Sequence, residues 1–225
     1  IGIINRNTTS ILLNGSGVNL KKFKPNLNIT KNENSFLFVG RLLKDKGIEE
    51  YIKAAKMIKK DFKNSHFRVV GGLDNNPASI SKDFLFNAVE EGSITYFPPT
   101  NNVLKHYHEA KVFVLPSYRE GTPKAVLEAM STGLPIITTD APGCRETVED
   151  GKNGFLVPIK DVDALYNAMK IFILNEKLGV KMGLSGISKA RNLYDVNKIN
   201  DKIVSSLVDK QAPQKSLQIW PIIQI

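Results

Sequence analysis

The sequence predicts an α/β fold built on a doubly wound parallel sheet. Three observations carry that prediction. Six short apolar runs of strand length recur after residue 33. Helical patterns fill most of the gaps between them. The runs are apolar enough to be covered on both faces, as parallel strands flanked by helices are.

Residues 1–33 carry few apolar periods. The stretch "NGSGVNLKKFKPNLNITKNEN" is rich in Asn, Gly and Lys and reads as turns and linker. From residue 34 the strand candidates follow in order: "SFLFVG", "HFRVVG", "ITYFP", "KVFVLP", "PIITTD" and "GFLVP". Between them lie the helical patterns "GIEEYIKAAKMIKKDF", "ISKDFLFNAVEEG", "NNVLKHYHEA" and "PKAVLEAMSTG". In the first of these, Ile48, Ile52, Ala55 and Ile58 fall on one face, and Lys53, Lys56 and Lys60 fall elsewhere. Further helical stretches run from Asp161 to about Asn175 and on to about Asp209. The organisation expected is therefore a linker and remnant of a preceding domain at 1–33, the sheet domain at 34–209, and a tail at 210–225. That tail, ending "QAPQKSLQIWPIIQI", fits no periodic pattern.

Composition bounds the function. Hydrophobic residues at 42% and charged residues at 24% are those of a globular protein. No apolar run approaches the ~18 residues a spanning helix needs, and no signal segment is visible. The sequence begins at Ile1 and is read as a piece of a longer protein. Cys144 is the single cysteine, so no internal disulfide can form, which suits a reducing cytoplasm. Lys plus Arg number 31 against 22 acids, a net charge of +9. That balance favours an anionic partner or simply reflects solvated lysine-rich helices. No Arg-rich or aromatic-interleaved stretch points to nucleic acid.

A doubly wound sheet holds its ligand at the carboxyl ends of its strands, so the residues just after each strand are the ones to examine. After "KVFVLP" comes "SYREGTPKAVLEAM". Thr122 can cap a helix, and Pro123 suits the first helical position because its missing N–H is not needed there. The amides near Gly121, Thr122, Lys124 and Ala125 then form an anion site at the helix start. Glu120 precedes that site, and Glu128 lies within the helix on the order of 12 Å away if all eight residues are helical. Two carboxylates flanking bound phosphates could accept hydrogen bonds from sugar hydroxyls on one side and ribose hydroxyls on the other. The plainer alternative makes both solvated acids. After "SFLFVG", Gly40 is followed by Arg41 and Lys46, which can address a diphosphate from the same sheet edge. Here the alternative is a solvated turn and a structural ion pair. Gly71 and Gly72 follow "HFRVV" and permit either a sharp turn or the close approach of a flat base.

Other signals carry no chemistry. Asp161-Val162-Asp163 imitates a metal-binding pair, but Asp161 stands where it caps the next helix. His106 and His108, two apart on a helix, share no face, and His66 leads a strand, so no metal site is assembled. Cys144 has no adjacent His to activate it.

Several separated blocks, in order, resemble the retaining glycosyltransferases of family 4, which have the two-domain GT-B fold. These are "GSGVNLKKF", "VGRLLKDKGIEEYIKAA", "VVGGLD" and "VFVLPSYREGTPKAVLEAMSTGLPIITTDAPGCRETVEDGKNGFLV". The similarity covers roughly residues 12–205. "GGLDNNPASISKD" and "PSYREGTP" further resemble a bacterial subgroup that builds capsule, O-antigen or N-glycan oligosaccharides on polyprenyl-diphosphate carriers. The resemblance implies a Rossmann-like C-terminal domain that holds a nucleotide-sugar donor. Glu120 would contact the donor sugar, Glu128 the ribose, and Arg41 and Lys46 the diphosphate, joined by Gly40, Gly71 and the backbone from Gly121 to Lys124. Pro123 departs from the family pattern and removes one amide donor.

The function implied is hexosyl transfer to a saccharide or lipid-linked acceptor with retention of configuration, by same-face attack as the sugar–phosphate bond breaks. No metal or other cofactor is expected. The protein would be cytoplasmic, with peripheral contact to an anionic membrane through surfaces such as "YIKAAKMIKK". The acceptor domain is expected elsewhere, so the chain alone would bind donor without transferring it. Two rival readings remain open on sequence: a non-hydrolysing nucleotide-sugar epimerase on the same fold, and a non-catalytic basic module that docks on membrane or partner.

Overall fold

The computed structural model describes residues 9–10, 13–29, 31, 33–208 and 217–218. In chain order the elements are β1 (Thr9–Ser10), β2 (Ser35–Val39), α1 (Ile48–Asp61), β3 (His66–Val70), α2 (Lys82–Glu90), β4 (Thr95–Phe97), α3 (Val103–Glu109) and β5 (Val112–Leu115). They continue with α4 (Lys124–Ser131), β6 (Ile136–Thr139), β7 (Gly154–Val157), α5 (Val162–Leu174), α6 (Glu176–Leu193), α7 (Val196–Val208) and β8 (Leu217–Gln218). Every strand candidate read from the sequence is a strand, and every helical pattern contains a helix.

Six strands form one wholly parallel sheet in the order β4-β3-β2-β5-β6-β7. This is the doubly wound fold expected. The inner strands are buried along their length: Phe36 to Phe38 in β2, Val112 to Leu115 in β5, Ile136 and Ile137 in β6. Their apolar runs leave no polar face because helices cover both sides. On α1, Ile48, Ile52, Ala55 and Ile58 are all buried, as the periodicity required. Tyr51 joins them, and its hydroxyl reaches the carbonyls of Phe36 (3.0 Å) and Arg68 (3.1 Å), so the ring's polar end is satisfied inside the core. Asp161 caps α5 by accepting from the Ala164 N–H at 2.8 Å, as read.

The strand order changes direction between β2 and β5. Chain runs outward from β2 to β3 and β4, then returns to build β5, β6 and β7 on the other side. A crevice opens at such a reversal, outside the carboxyl ends of the two central strands. The loops after β2 and after β5 therefore lie side by side at the carboxyl edge of the sheet.

Residues 13–28, expected to be linker, pack on this domain. Val18 and Phe23 are buried. Val18 donates to the Tyr194 carbonyl at 2.7 Å and accepts from Val196 at 3.1 Å. Phe23 meets Tyr107 edge-on at 6.1 Å, and the Ser131 hydroxyl donates to its carbonyl. Single apolar residues among Asn, Gly and Lys give no period, which is why composition reads the stretch as coil. Beyond α7, only Leu217–Gln218 of the tail is described, as β8 paired in parallel with β1. The rest of the expected tail, and most of residues 1–12, lie outside the described residues. Among the described residues no helix is long and apolar enough to cross a membrane.

Candidate active site

The loop after β2 turns through a short 3-10 segment, Lys44–Lys46, into α1. The loop after β5 is clipped onto it. The Tyr118 N–H donates to the Asp45 carbonyl at 2.8 Å, and the Ser117 hydroxyl reaches the same oxygen at 3.1 Å. These two loops, 72 residues apart at Asp45 and Ser117, come together because β2 and β5 are neighbours. At their junction Lys46 Nζ donates to Glu120 Oε1 at 2.8 Å. Both side chains are largely withdrawn from water, at 18% and 10% exposure.

The main chain at Glu120 is fixed from the other side. Its N–H donates to the Pro142 carbonyl at 3.0 Å. Gly143, at φ +82°, packs so closely that a Cβ there would sit 1.9 Å from the Glu120 carbonyl oxygen. Only glycine allows that approach. The "DAPG" turn after β6 thus holds the Glu120 loop in place, a role the sequence reading did not assign. Its signal was a glycine after a strand end.

The start of α4 differs by one residue from expectation. Pro123 takes extended angles (φ −67°, ψ 109°) and stands at the N-cap, with the helix beginning at Lys124. Thr122 is thus not the cap residue, and its hydroxyl makes no hydrogen bond to the helix start among the described residues. Its side chain instead meets Gly15, where an added Cβ would lie 2.5 Å from Thr122 Cβ. Proline holds the cap position because its φ is fixed near the value the turn needs, and its carbonyl accepts from Val126 and Leu127. The amides of Gly121, Thr122, Lys124 and Ala125 have no acceptor among the described residues. They form a set of bare donors beside the Lys46–Glu120 pair in sequence and loop.

The remaining expected residues divide. Arg41 follows Gly40 at the end of β2, but its guanidinium is 60% exposed and lies 3.7 Å from Asp74, so Arg41 and Lys46 stand in separate ion pairs. Gly40 and Gly71 pack on each other: a Cβ on Gly71 would fall 1.8 Å from the Gly40 carbonyl oxygen. That contact alone demands glycine at 71. Glu128 sits within α4, half-buried, and accepts from the Tyr107 hydroxyl at 3.0 Å. Burial raises its carboxyl above the ordinary 4.5, opposed by the Tyr107 hydrogen bond and by Lys124 and Lys22. Among the described residues Glu120 and Glu128 share no hydrogen-bond or ion-pair partner. His106 is buried against Phe97 and His108 touches the Lys24 carbonyl, so the two histidines serve different contacts. Cys144 is buried, with its thiol toward the Ser117 carbonyl.

Residues 20–189 match the family described as glycosyl transferases group 1. The chain belongs to that family. This group 1 domain is 30% identical over 211 residues to the N,N'-diacetylbacillosaminyl-diphospho-undecaprenol alpha-1,3-N-acetylgalactosaminyltransferase of Campylobacter jejuni, covering 85% of this chain and 54% of the relative. It is 31% identical over 213 residues to an Escherichia coli UDP-Gal:alpha-D-GlcNAc-diphosphoundecaprenol alpha-1,3-galactosyltransferase, covering 86% and 53%. The chain thus spans about half the length of these relatives. Among solved structures, sucrose-phosphate synthase from Thermosynechococcus elongatus superposes with a TM-score of 0.75 at 27% identity, over 85% of this chain and 50% of that one. Anabaena HepE in complex with UDP and glucose superposes at 0.73 with 19% identity, over 86% and 55%, which speaks for the fold. The Rossmann-like GT-B fold expected from the family resemblance is the fold found.

Proposed function

We propose that this group 1 domain binds the donor of a hexosyltransferase, a nucleotide-diphosphate sugar, at the crevice between the carboxyl ends of β2 and β5. The single observation that carries the reading is the Lys46–Glu120 pair beside the bare amides of Gly121, Thr122, Lys124 and Ala125. A cation and unpaired N–H groups match a diphosphate, and a carboxylate matches the hydroxyls of the attached sugar. In this scheme Lys46 and the α4 start stabilise charge on the leaving diphosphate, while Glu120 orients the sugar. Arg41 joins them on exchanging Asp74 for phosphate, and Glu128 takes the ribose. The scheme calls for no metal or cofactor.

For the whole protein the proposal is family 4 transfer with retention to a saccharide on a polyprenyl-diphosphate carrier, in cell-surface polysaccharide or glycan synthesis. The activities for which the Campylobacter jejuni and Escherichia coli relatives are named support that acceptor class and favour transfer over epimerisation. Work on such a carrier is consistent with a cytoplasmic protein at the membrane's inner face. In this reading the chain is the C-terminal half and does not transfer alone.

A thermal-shift panel of nucleotide-diphosphate sugars tests the site, because a ligand that binds only the native state raises its melting temperature. One nucleotide-sugar class should raise it while the free sugars do not. No shift with any of them would overturn the proposal, and turnover by the chain alone would remove the half-site reading.

A further inference from the structure

We infer that Tyr107 is the positioning residue for Glu128, holding one carboxylate oxygen on the core so that the other is presented to the ribose diol of the donor. The inference rests on the proposed ribose role of Glu128, and it adds a residue from a different element. Tyr107 lies on α3, 21 positions before Glu128, with its ring wholly buried. Its hydroxyl donates to Glu128 Oε2 at 3.0 Å and lies 3.3 Å from the Ala125 carbonyl. A phenol has one proton to donate, and the charged, nearer acceptor takes it. Glu128 Oε1 makes no hydrogen bond among the described residues.

The ring has no freedom to follow a moving partner. Phe23 meets it edge-on at 6.1 Å from residues 13–28, and Phe113 of β5 packs on it at 5.9 Å. The Phe23 carbonyl is in turn held by Ser131 of α4. A flexible glutamate is thus tied to a rigid anchor. A carboxylate whose plane is set in advance can accept two neighbouring hydroxyls without first losing its own freedom.

The charged groups acting on Glu128 are Lys124, on its own helix, and Lys22, on the segment that crosses α3. Lys22 lies 5.2 Å above the Phe23 ring. Tyr107 itself stays a phenol: burial, together with the carboxylate beside it, raises its hydroxyl well above 10.0. Burial works against the Glu128 carboxylate and the Tyr107 hydrogen bond works for it. Loss of the phenol oxygen therefore moves the protonation of Glu128 to higher pH.

The test is calorimetric titration of the full chain with UDP and with inorganic pyrophosphate, from about pH 5 to about pH 8, for wild type, Tyr107→Phe, Glu128→Gln and the double variant. Tyr107→Phe should bind UDP about tenfold more weakly and bind pyrophosphate, which has no ribose, as wild type does. Its loss of UDP affinity on acidification should begin at higher pH. In the Glu128→Gln background the Tyr107 substitution should add little. Equal UDP affinity and an unmoved acid limb in Tyr107→Phe would overturn the inference. So would parallel losses for UDP and pyrophosphate, which mark a structural role only. Failure of wild type to bind UDP would overturn the inference, and failure to bind pyrophosphate as well would overturn the donor-site reading with it. If Glu128→Gln weakens UDP while Tyr107→Phe does not, the inference alone fails.

Discussion

Replacing Lys46 separates two effects that the geometry predicts with definite sizes. The Lys46–Glu120 pair is 2.8 Å apart, with side-chain exposures of 18% and 10%. At an effective dielectric of about 20, two unit charges at that distance attract by about 6 kcal/mol before desolvation is counted. Most of that attraction offsets the cost of taking both charges out of water, so the whole pair contributes little net stability. Breaking it is another matter. Lys46→Met leaves the Glu120 carboxylate withdrawn from water without its cation, at a cost of about 3 kcal/mol. Glu120→Gln removes the ammonium's counter-charge at a smaller cost, because the amide oxygen still accepts its hydrogen bond, while the double variant should lie within about 1 kcal/mol of wild type. Urea denaturation followed by far-ultraviolet circular dichroism measures all four proteins. Additive effects, with a coupling below about 0.5 kcal/mol, would show the pair to be solvent-screened and would refute the argument for a desolvated site. Ligand binding should split in sign. Lys46→Met weakens pyrophosphate and UDP by about tenfold or more, because a charge-assisted contact is gone. Glu120→Gln strengthens both, because the anion no longer competes with a resident carboxylate for Lys46.

Two further predictions concern the walls of the site. Gly143→Ala, with its Cβ placed 1.9 Å from the Glu120 carbonyl oxygen at φ +82°, should destabilise the chain by about 2 to 4 kcal/mol and loosen the Glu120 loop; a chemical melt that matches wild type would refute it. Glu128→Gln should stabilise the fold at neutral pH. Burial raises the Glu128 carboxyl above its ordinary 4.5, so the folded state binds a proton more readily than the unfolded one, and stability falls as pH rises from 4.5 through the raised value. The gain from Glu128→Gln should therefore be present above that window and absent below it, measured by melts at several pH values.

The sheet was legible because burial on both faces writes itself into sequence as unbroken apolar runs. The helix α1 was legible for a related reason, its buried residues recurring at helical spacing. What sequence could not supply was adjacency. Lys46 and Glu120 are 74 residues apart and become partners only because β2 lies beside β5. The rule that ligands sit at strand carboxyl ends put both in the right region but not in contact. Arg41 shows the converse: placed correctly after β2, it turns outward to Asp74. The start of α4 was read one residue early because Thr-Pro fits two registers, cap plus first helical residue or turn plus cap. Thr122 packing on Gly15 and the ψ of 109° at Pro123 select the second. Residues 13–28 read as linker on composition because Val18 and Phe23 anchor the segment singly, and single anchors have no period; only the family resemblance of "GSGVNLKKF" reached into it. Tyr107 was hidden in the same way, as one aromatic on a short helix whose partner lies on another.

A site that is already paired with itself imposes a condition on what can occupy it. Without ligand, Lys46 and Glu120 satisfy each other in a place mostly closed to water. A free phosphate offers an anion to Lys46 but leaves Glu120 with no donor, and an unpaired carboxylate withdrawn from water costs about 1–3 kcal/mol or more. A free sugar offers hydroxyls to Glu120 but nothing to Lys46. Only a molecule that carries both an anion and, next to it, hydroxyl donors replaces each half of the broken pair. A nucleotide-diphosphate sugar is such a molecule, with the hydroxyls one bond system away from the phosphates. On the proposed reading, the same desolvation that makes the pair weak as a stabiliser of the fold makes it selective. On that reading the chain binds phosphate-bearing fragments such as UDP and pyrophosphate, but more weakly than the whole donor, because each fragment strands a charge.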